Sequence, residues 1–308
     1  MMFTRLGSSG LKVSRICLGT NNFGGYVPEQ GCAKILDEAL ECKINFIDTA
    51  NVYTDGRSEE VIGRLVEGRR DDFVIATKFG MESSPNDPNR SGSSRKNLIW
   101  QLDQSLNRLR TKYIDLYYVH QFDPTTPLLE TLRALDEVVK SGKVRYIACS
   151  NFSSRQLEES LKISSEHDLE SFIGIQSRYN LLQREIESDI IPFCAQNNVG
   201  VLAYNPLRAG LLAGRYSRGE PPREGTRAFF RPGYWSQLNN ESNFDRLDKL
   251  KTVSEETGVS MPKLAIAWAL RRVSSAIVGA SNPAQLEESC EAVKVELSDA
   301  ALKELDQI

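Results

Sequence analysis

The feature of this 308-residue sequence that most restricts its fold is a regular alternation of two patterns. Short runs rich in β-branched and aromatic residues alternate with amphipathic stretches of helical periodicity. There are eight such runs: RICLG (15–19), INFID (44–48), FVIAT (73–77), IDLYYVH (114–120), VRYIACS (144–150), FIGIQ (172–176), GVLAY (200–204) and SAIVG (275–279). Strands that are apolar on both faces indicate a parallel sheet covered by helices, and eight units predict a closed (β/α)8 TIM barrel.

Both ends of the chain carry additional elements. FTRLGSSGLKV predicts a β-hairpin around the Ser-Ser-Gly turn, and SDAALKELDQI begins with a Ser-Asp cap that predicts an extra helix. A doubly wound sheet has less support, because no GxGxxG motif follows any strand. An α/β barrel commonly reaches this length as one unit, so residues 1–308 are predicted to form a single domain.

Composition limits the classes of function. The net charge of −3 favours neither nucleic acid nor an anionic membrane surface as a partner. The first residues offer no apolar segment typical of a secretory signal, and the longest charge-free stretch, 190–207, contains Pro192, Gln196, Asn197 and Asn198. The six cysteines show no CxxC spacing, which favours reduced core thiols in a cytoplasmic protein over disulfides or metal ligands.

One segment breaks the alternation. Residues 205–241 form a long insertion after the seventh run, with four prolines among arginines and aromatic residues. Long ordered loops in compact domains are usually functional, and the aromatic content argues against disorder. We therefore predict a lid or ligand-gripping loop.

Four polar residues coincide with the predicted strand ends. Asp48 ends the second run, Lys78 follows the third, His120 ends the fourth, and Tyr53 lies in the loop after the second. Taken singly, each has an ordinary explanation: a cap or loop aspartate, a surface lysine, a rim aromatic. Because carboxyl ends of barrel strands meet at one rim, the four together predict a shared site; His167 is given no role.

This set of side chains suits the reduction of a carbonyl group. A free tyrosine has a pKa near 10, and a neighbouring lysine cation is expected to lower it. An aspartate would hold that ammonium in place, and a neutral histidine would orient or polarise a carbonyl oxygen beside the phenol. Hydride from a cofactor would reach the carbonyl carbon while tyrosine protonates the oxygen.

The sequence also resembles the aldo-keto reductase family over nearly its whole length. The motifs that carry the resemblance, in family order, are FIDTANVY, GRSEEVIG, ATKFG, DLYYVHQFDP, GKVRYIACSNF, GIQSRYNLLQRE, NPLRAGLLAGRY and VGASNPAQLEES. The long insertion suggests the branch that includes bacterial general stress reductases and potassium-channel β subunits. By this resemblance the catalytic tetrad is Asp48, Tyr53, Lys78 and His120.

The resemblance implies a nicotinamide cofactor. Ser150, Asn151 and Gln176 resemble residues that hydrogen-bond the carboxamide, and Tyr204 resembles the aromatic that stacks on the ring. The remaining cofactor assignments are Gly19, Thr20, Asn21 and Asp48 at the first two strand ends, Asn205, Pro206, Leu207, Leu212, Gly214 and Arg215 over the pyrophosphate, and Gly279, Ser281, Gln285, Glu288 and Ser289 at the adenosine end. The helix start in NPAQLEES is suited to receive phosphate.

The sequence departs from the family pattern in three places. Ser289 stands where the family often has Asn, and Ala148 stands where a glycine is more usual. No Lys or Arg lies from 279 to 289 to meet a 2′-phosphate, so Arg215 and Arg227 are the candidates for that contact. We expect NADPH as the cofactor, with NAD(H) as the alternative.

The substrate is expected to be a small carbonyl compound, although aromatic walls suit sugars, aryl aldehydes and ketones alike. The predicted pocket residues are Asn22, Phe23, Tyr53, Phe79 and His120, with Trp235 or Tyr234 folding over from the insertion. The alternative function is an NADP(H)-binding regulatory or scaffold protein with little turnover, like a channel β subunit. The intact tetrad favours an NADP-dependent reductase of aldehydes or ketones. The oligomeric state is left open.

Overall fold

The computed structural model describes residues 2–84 and 86–308, which form a closed barrel of eight parallel strands. The barrel strands are β3 (Ile16–Gly19), β4 (Phe46–Asp48), β5 (Val74–Phe79), β6 (Ile114–Val119), β7 (Val144–Ser150), β8 (Gly174–Arg178), β9 (Gly200–Tyr204) and β10 (Ser275–Gly279). Neighbours in sequence pair with one another, and β10 pairs with β3 to close the ring. The predicted (β/α)8 TIM barrel is confirmed.

The two additional terminal elements are also confirmed. Strands β1 (Phe3–Arg5) and β2 (Lys12–Ser14) form an antiparallel hairpin. Leu6 and Val13 from this hairpin pack with residues of the barrel interior, so the hairpin closes one end of the barrel. At the other terminus the last helix begins where predicted, because the side chain of Ser298 accepts from the backbone N–H of Ala301.

The described residues form twelve α-helices. They are α1 (Glu29–Glu41), α2 (Arg57–Leu65), α3 (Arg95–Arg108), α4 (Leu128–Lys140), α5 (Ser154–Glu166), α6 (Ile190–Asn197), α7 (Arg227–Phe230), α8 (Pro232–Leu238), α9 (Glu241–Thr257), α10 (Met261–Leu270), α11 (Pro283–Glu291) and α12 (Asp299–Leu305). Of these, α7 and α8 lie in the insertion after β9. Helix α5 begins with a reciprocal capping box between Ser153 and Gln156.

The hydrophobic core has two parts because alternate residues of each strand point to opposite faces of the sheet. Cys17, Phe46 and Tyr118 belong to the cluster inside the barrel, whereas Ile16 and Ile47 belong to the larger cluster between barrel and helices. Both faces of the sheet are therefore buried, which explains why the strands are apolar on both faces.

Three strand ends differ from the sequence-based prediction. β5 runs to Phe79, so Lys78 lies inside the strand rather than just past it. β6 ends at Val119, which places His120 one residue beyond the strand instead of at its end. β8 is shifted by two residues and ends at Arg178. The charged Lys78 continues a buried strand because Asp48 of β4 and two residues of the loop after β4 accept from its ammonium group, and local periodicity does not show these partners.

The insertion after β9 is ordered and has a hydrophobic cluster of its own. We call residues 205–240 the β9–α9 segment; it contains a 3-10 turn at Arg208–Ala213 and helices α7 and α8. Leu211, Tyr216 and Leu238 are buried together with residues at the start of α9. The Tyr216 hydroxyl donates to Ala209 O at 2.9 Å, which ties the turn to the rest of the segment.

Two further features concern the helices and the cysteines. None of the helices formed by the described residues is long and apolar enough to cross a membrane. All six cysteines are free thiols, and five of them are buried.

Glycine at position 63 allows α2 to lie directly on the chain at the end of α3. A Cβ at this position would lie 2.7 Å from the backbone carbonyl carbon of Leu109, so the backbone must move. We expect Gly63→Ala to lower the free energy of unfolding by about 1–3 kcal/mol, measured by chemical denaturation. Gly10→Ala is the control, because a Cβ at Gly10 meets no atom within 4 Å. Equal stability losses in both variants would contradict this account of α2 packing.

Candidate active site

A buried lysine lies at the centre of the site. The side chain of Lys78 is fully buried, and its Nζ donates to Asp48 Oδ1 at 2.6 Å, Thr49 O at 2.8 Å and Tyr53 Oη at 3.1 Å. An ammonium group has three donors, and all three are used here. Lys78 is therefore fixed against both Asp48 and Tyr53 without contact with solvent.

Asp48 is held at both of its carboxylate oxygens. Oδ2 accepts from Gln176 Nε2 at 2.7 Å, while Oδ1 faces Lys78. Burial raises the pKa of Asp48, and Lys78 and Gln176 oppose that shift. Burial lowers the pKa of Lys78, but Asp48 and Tyr53 together bring it above its ordinary value. The ammonium group of Lys78 has three acceptors, and each carboxylate oxygen of Asp48 has a donor. The geometry therefore supports a charged pair of ammonium and carboxylate.

Tyr53 lies in the turn after β4, where the backbone is left-handed at Thr54 (φ 50°) and Asp55 (φ 57°). Burial raises the pKa of Tyr53, Lys78 lowers it, and the net shift is upward. Lys78 lowers the pKa of Tyr53, as the sequence argument expected. Burial raises that pKa by more, and the sequence argument did not include burial. At neutral pH the phenol is thus protonated and able to donate, with Lys78 placed to stabilise the phenolate when the proton leaves.

His120 stands beside the phenol in a neutral state. Its ring centroid is 6.0 Å from that of Tyr53, with the rings 78° apart. Burial, with the charge of Lys78 as a second cause, lowers the pKa of His120 to about 3. Its Nδ1 is buried and has no hydrogen-bond partner among the described residues. The neutral imidazole expected from the sequence argument is therefore what the surroundings favour.

The tetrad lies at a cavity of about 590 Å³, within the range typical of small-molecule sites. Asp48, Tyr53 and His120 line it, whereas Lys78 lies behind them. The other predicted cofactor residues that line it are Gly19, Thr20, Asn21, Ser150, Asn151, Gln176, Tyr204, Asn205, Pro206, Leu207, Arg215, Arg227, Gly279, Ser281, Gln285, Glu288 and Ser289. Leu212 is instead buried in the main core, and Gly214 ends the 3-10 turn beside Met261.

Part of the predicted substrate wall lies elsewhere. Asn22 lines the cavity, but Phe23 and Phe79 are fully buried in the core between barrel and helices. Trp235 packs against Tyr216 inside the β9–α9 segment, with ring centroids 5.7 Å apart. Tyr234, the alternative aromatic, does line the cavity.

Sequence reasoning missed several cavity residues, most notably arginines. Arg178, Arg208 and Arg231 line the cavity in addition to Arg215 and Arg227. Arg178 was missed because the β8 run was placed two residues too early, which left its last residue outside the strand. The other two lie in the insertion, where composition gave the only signal. Tyr26 and Gln237 were also missed and have no local pattern that marks them.

A chain of hydrogen bonds positions the residues expected at the nicotinamide end. Tyr204 Oη donates to Asn151 Oδ1 at 2.9 Å, and Asn151 Nδ2 donates to His120 O and Ser150 Oγ. Asn151 adopts a left-handed backbone (φ 58°) to make these contacts. Ser150, Asn151, Gln176 and Tyr204 are thereby brought together next to His120.

The cavity has the donor set that an anionic dinucleotide requires. Its five arginines form no ion pair within 4.0 Å with any carboxylate of residues 2–84 and 86–308. Its two lining carboxylates are already engaged, Asp48 with Lys78 and Glu288 with Ser260. Guanidinium groups bind phosphate well. The five arginines without an ion pair therefore fit a ligand with several phosphates.

Comparison with known sequences identifies the family of the chain. A sequence model of the Aldo/keto reductase family matches residues 15–308. The chain belongs to this family. The resemblance inferred from the motifs is thus confirmed, and the family supports an oxidoreductase activity on a small carbonyl compound.

Three relatives show the range of proteins to which the chain is similar. It is 35% identical to the L-glyceraldehyde 3-phosphate reductase of Escherichia coli strain K12, over 100% of this chain and 92% of the relative. It is 35% identical to a probable voltage-gated potassium channel subunit beta of Oryza sativa subsp. japonica, over 96% and 92%. It is 32% identical to the versiconal hemiacetal acetate reductase of Aspergillus parasiticus, over 100% and 96%.

The depressed pKa of His120 predicts a pH-dependent stability. In the unfolded chain His120 has a pKa near 6.5. Below that pH the unfolded chain therefore binds a proton that the folded chain does not bind. Stability from this group is complete above pH 6.5 and is lost as pH falls towards about 3. Between pH 7 and pH 5 the wild type should lose about 2 kcal/mol more unfolding free energy than His120→Gln, measured by chemical denaturation. Parallel pH profiles would show that His120 is not buried in neutral form.

Proposed function

We propose that this protein is an NADPH-dependent reductase of aldehydes or ketones, also able to run in reverse, with Tyr53 as the general acid. The observation that carries the proposal is the contact of 3.1 Å between Lys78 Nζ and Tyr53 Oη at the edge of a cavity that His120 also lines. A protonated phenol backed by a buried ammonium is a donor whose conjugate base is stabilised in place.

The chain's residues supply the proton and its electrostatics. A reduced nicotinamide, when bound, would supply the hydride for the carbonyl carbon. Tyr53 gives its phenolic proton to the carbonyl oxygen, so the substrate gains one hydride and one proton and leaves as an alcohol. Lys78 stabilises the phenolate until solvent returns a proton. Neutral His120 orients the same oxygen, because a pKa of about 3 leaves the imidazole uncharged at neutral pH, with one N–H that can donate a hydrogen bond.

The proposed cofactor contacts follow the arrangement of the lining residues. Gln176 uses Nε2 on Asp48, and its Oε1 makes no hydrogen bond within the described part of the chain, so it is free to accept from a carboxamide. The ring of Tyr204 offers a flat face to a nicotinamide. For the 2′-phosphate we propose Arg215 and Arg227, since both line the cavity and no cation lies within 279–289.

The second candidate function is an NADP(H)-binding regulatory subunit with little turnover. The observation that favours it is the similarity to proteins described as potassium channel subunits beta, at 35% identity for the Oryza relative. The complete tetrad argues for turnover, because a binding module does not require a phenol, an ammonium and a neutral imidazole in contact at one cavity.

The role of Tyr53 can be tested by removing its hydroxyl group. We expect wild-type protein to oxidise NADPH, followed at 340 nm, in the presence of at least one member of an aldehyde and ketone panel. Tyr53→Phe should lower kcat by about 10²–10⁴-fold, because the acid is lost, while the Kd for NADPH stays unchanged. Tyr113→Phe is the control, since the Tyr113 hydroxyl bonds Asp71 outside the cavity. Tight NADPH binding by the wild type without any turnover would favour the regulatory subunit instead.

Cofactor selectivity tests the proposed 2′-phosphate contacts. NADH lacks the 2′-phosphate, so Arg215→Met or Arg227→Met should raise the Kd for NADPH about 10-fold and leave the Kd for NADH nearly constant. Nucleotide fluorescence titration gives both constants. Arg223→Met is the control, because Arg223 is exposed and pairs with Glu220. Equal losses for both nucleotides would assign these arginines to the pyrophosphate.

A further inference from the structure

Three of the five cavity arginines, Arg178, Arg208 and Arg231, have no role in the reaction described so far, and the charges of Arg178 and Arg208 interact with each other. Arg178 is the last residue of β8 and lies two positions after Gln176, so its side chain leaves the strand on the same face. Its Cζ is 5.7 Å from the ring centroid of Tyr204. Arg208 opens the 3-10 turn of the β9–α9 segment, and its Nη1 donates to Gln183 Oε1 at 2.7 Å.

No ion pair compensates the charges of these two arginines, although the more distant Glu185 acts on Arg208. Neither forms an ion pair within 4.0 Å among the described residues, and Arg208 Nε is buried without a hydrogen-bond partner. Burial lowers the pKa of Arg208, and the nearby charge of Arg178 lowers it further. Most arginines on the outside of this protein pair with carboxylates, for example Arg64 with Glu29 and Arg218 with Glu241. Two cations that form no ion pair and line one cavity are placed to bind an anion together.

The position of Arg178 in the sheet connects it with the residues around the tetrad. Gln176, the neighbour of Arg178 on the same face of β8, donates to Asp48 of the tetrad. Arg178 also pairs with Tyr204 in the sheet register, next to the residues proposed for the nicotinamide. The contacts proposed for the cofactor's own phosphates, Arg215 and Arg227, are separate side chains. An anion held by Arg178 and Arg208 would therefore lie in the same cavity as the hydroxyl group of Tyr53.

We propose that Arg178 and Arg208 form a subsite for a phosphate ester carried by the carbonyl substrate. Two guanidinium groups match the two negative charges and several acceptor oxygens of a phosphate monoester. This inference rests on the proposed reductase function and names its substrate class: short aldehydes or ketones with a phosphate at the far end. The pyrophosphate of the cofactor is the other anion that these two arginines can bind, and the experiment distinguishes the two anions.

The kinetic test uses a matched pair of substrates. Glyceraldehyde 3-phosphate and glyceraldehyde differ only in the phosphate, and wild-type protein with NADPH should favour the first in kcat/KM by at least about 10-fold. Arg178→Met and Arg208→Met should each lower kcat/KM for the phosphate ester by about 10–100-fold, mainly through KM. Values for glyceraldehyde and the Kd for NADPH should change less than about 2-fold. Arg223→Met, an exposed arginine of the same segment, should behave as wild type.

A binding measurement tests the subsite without turnover. With saturating NADP⁺ present, glycerol 3-phosphate should raise the melting temperature of wild-type protein, whereas glycerol at the same concentration should not. Arg178→Met should lose this shift, while Tyr53→Phe should retain it.

Three results would overturn the proposal: no stabilisation of the wild type by glycerol 3-phosphate, equal kcat/KM for the two aldehydes, or a weaker Kd for NADPH in the arginine variants, which would assign the pair to the cofactor. Failure of the reductase function is distinguishable, because wild-type protein would then oxidise no NADPH with either aldehyde.

Discussion

The site depends on one buried ion pair, between Lys78 and Asp48. Separated from water, either charge alone would be strongly unfavourable, and removing one partner of such a pair leaves the other uncompensated. The pair is stable because adjacent strands bring the two residues together and Gln176, from β8 further round the barrel, binds the second carboxylate oxygen. The charge pair thus couples three strands at the rim and fixes the position of Tyr53.

Burial then sets the ionisation of the groups around the pair. It raises the pKa of Tyr53 and lowers that of His120, so both groups carry no charge at neutral pH. The phenol and the imidazole are both neutral and lie beside a permanent ammonium group. A new charge in this arrangement forms when the phenol loses its proton. The ammonium is already in place to stabilise it, which is the preorganisation that electrostatic catalysis requires.

The β9–α9 segment gives the cavity its second chemical character. Its own cluster around Leu211 and Tyr216 orders it, and it contributes Arg208, Arg215 and Arg227 to the cavity wall. The barrel rim therefore contains the proposed proton donor, while the segment and the end of β8 supply positive charge. This division agrees with a ligand set that joins a reactive carbonyl to several phosphates.

The sequence by itself determined the barrel and the identity of Asp48, Tyr53, Lys78 and His120, because strand periodicity and residue order are local properties of the chain. Only the tertiary structure decided which side chains face the cavity. Phe23 and Phe79 face the core instead, and Arg178 was missed through a two-residue error in one strand. A strand reverses the direction of its side chains at every residue, so the inward or outward direction depends on register and on packing between distant segments. The pKa of Tyr53 likewise depends on burial, which cannot be read from a local sequence pattern.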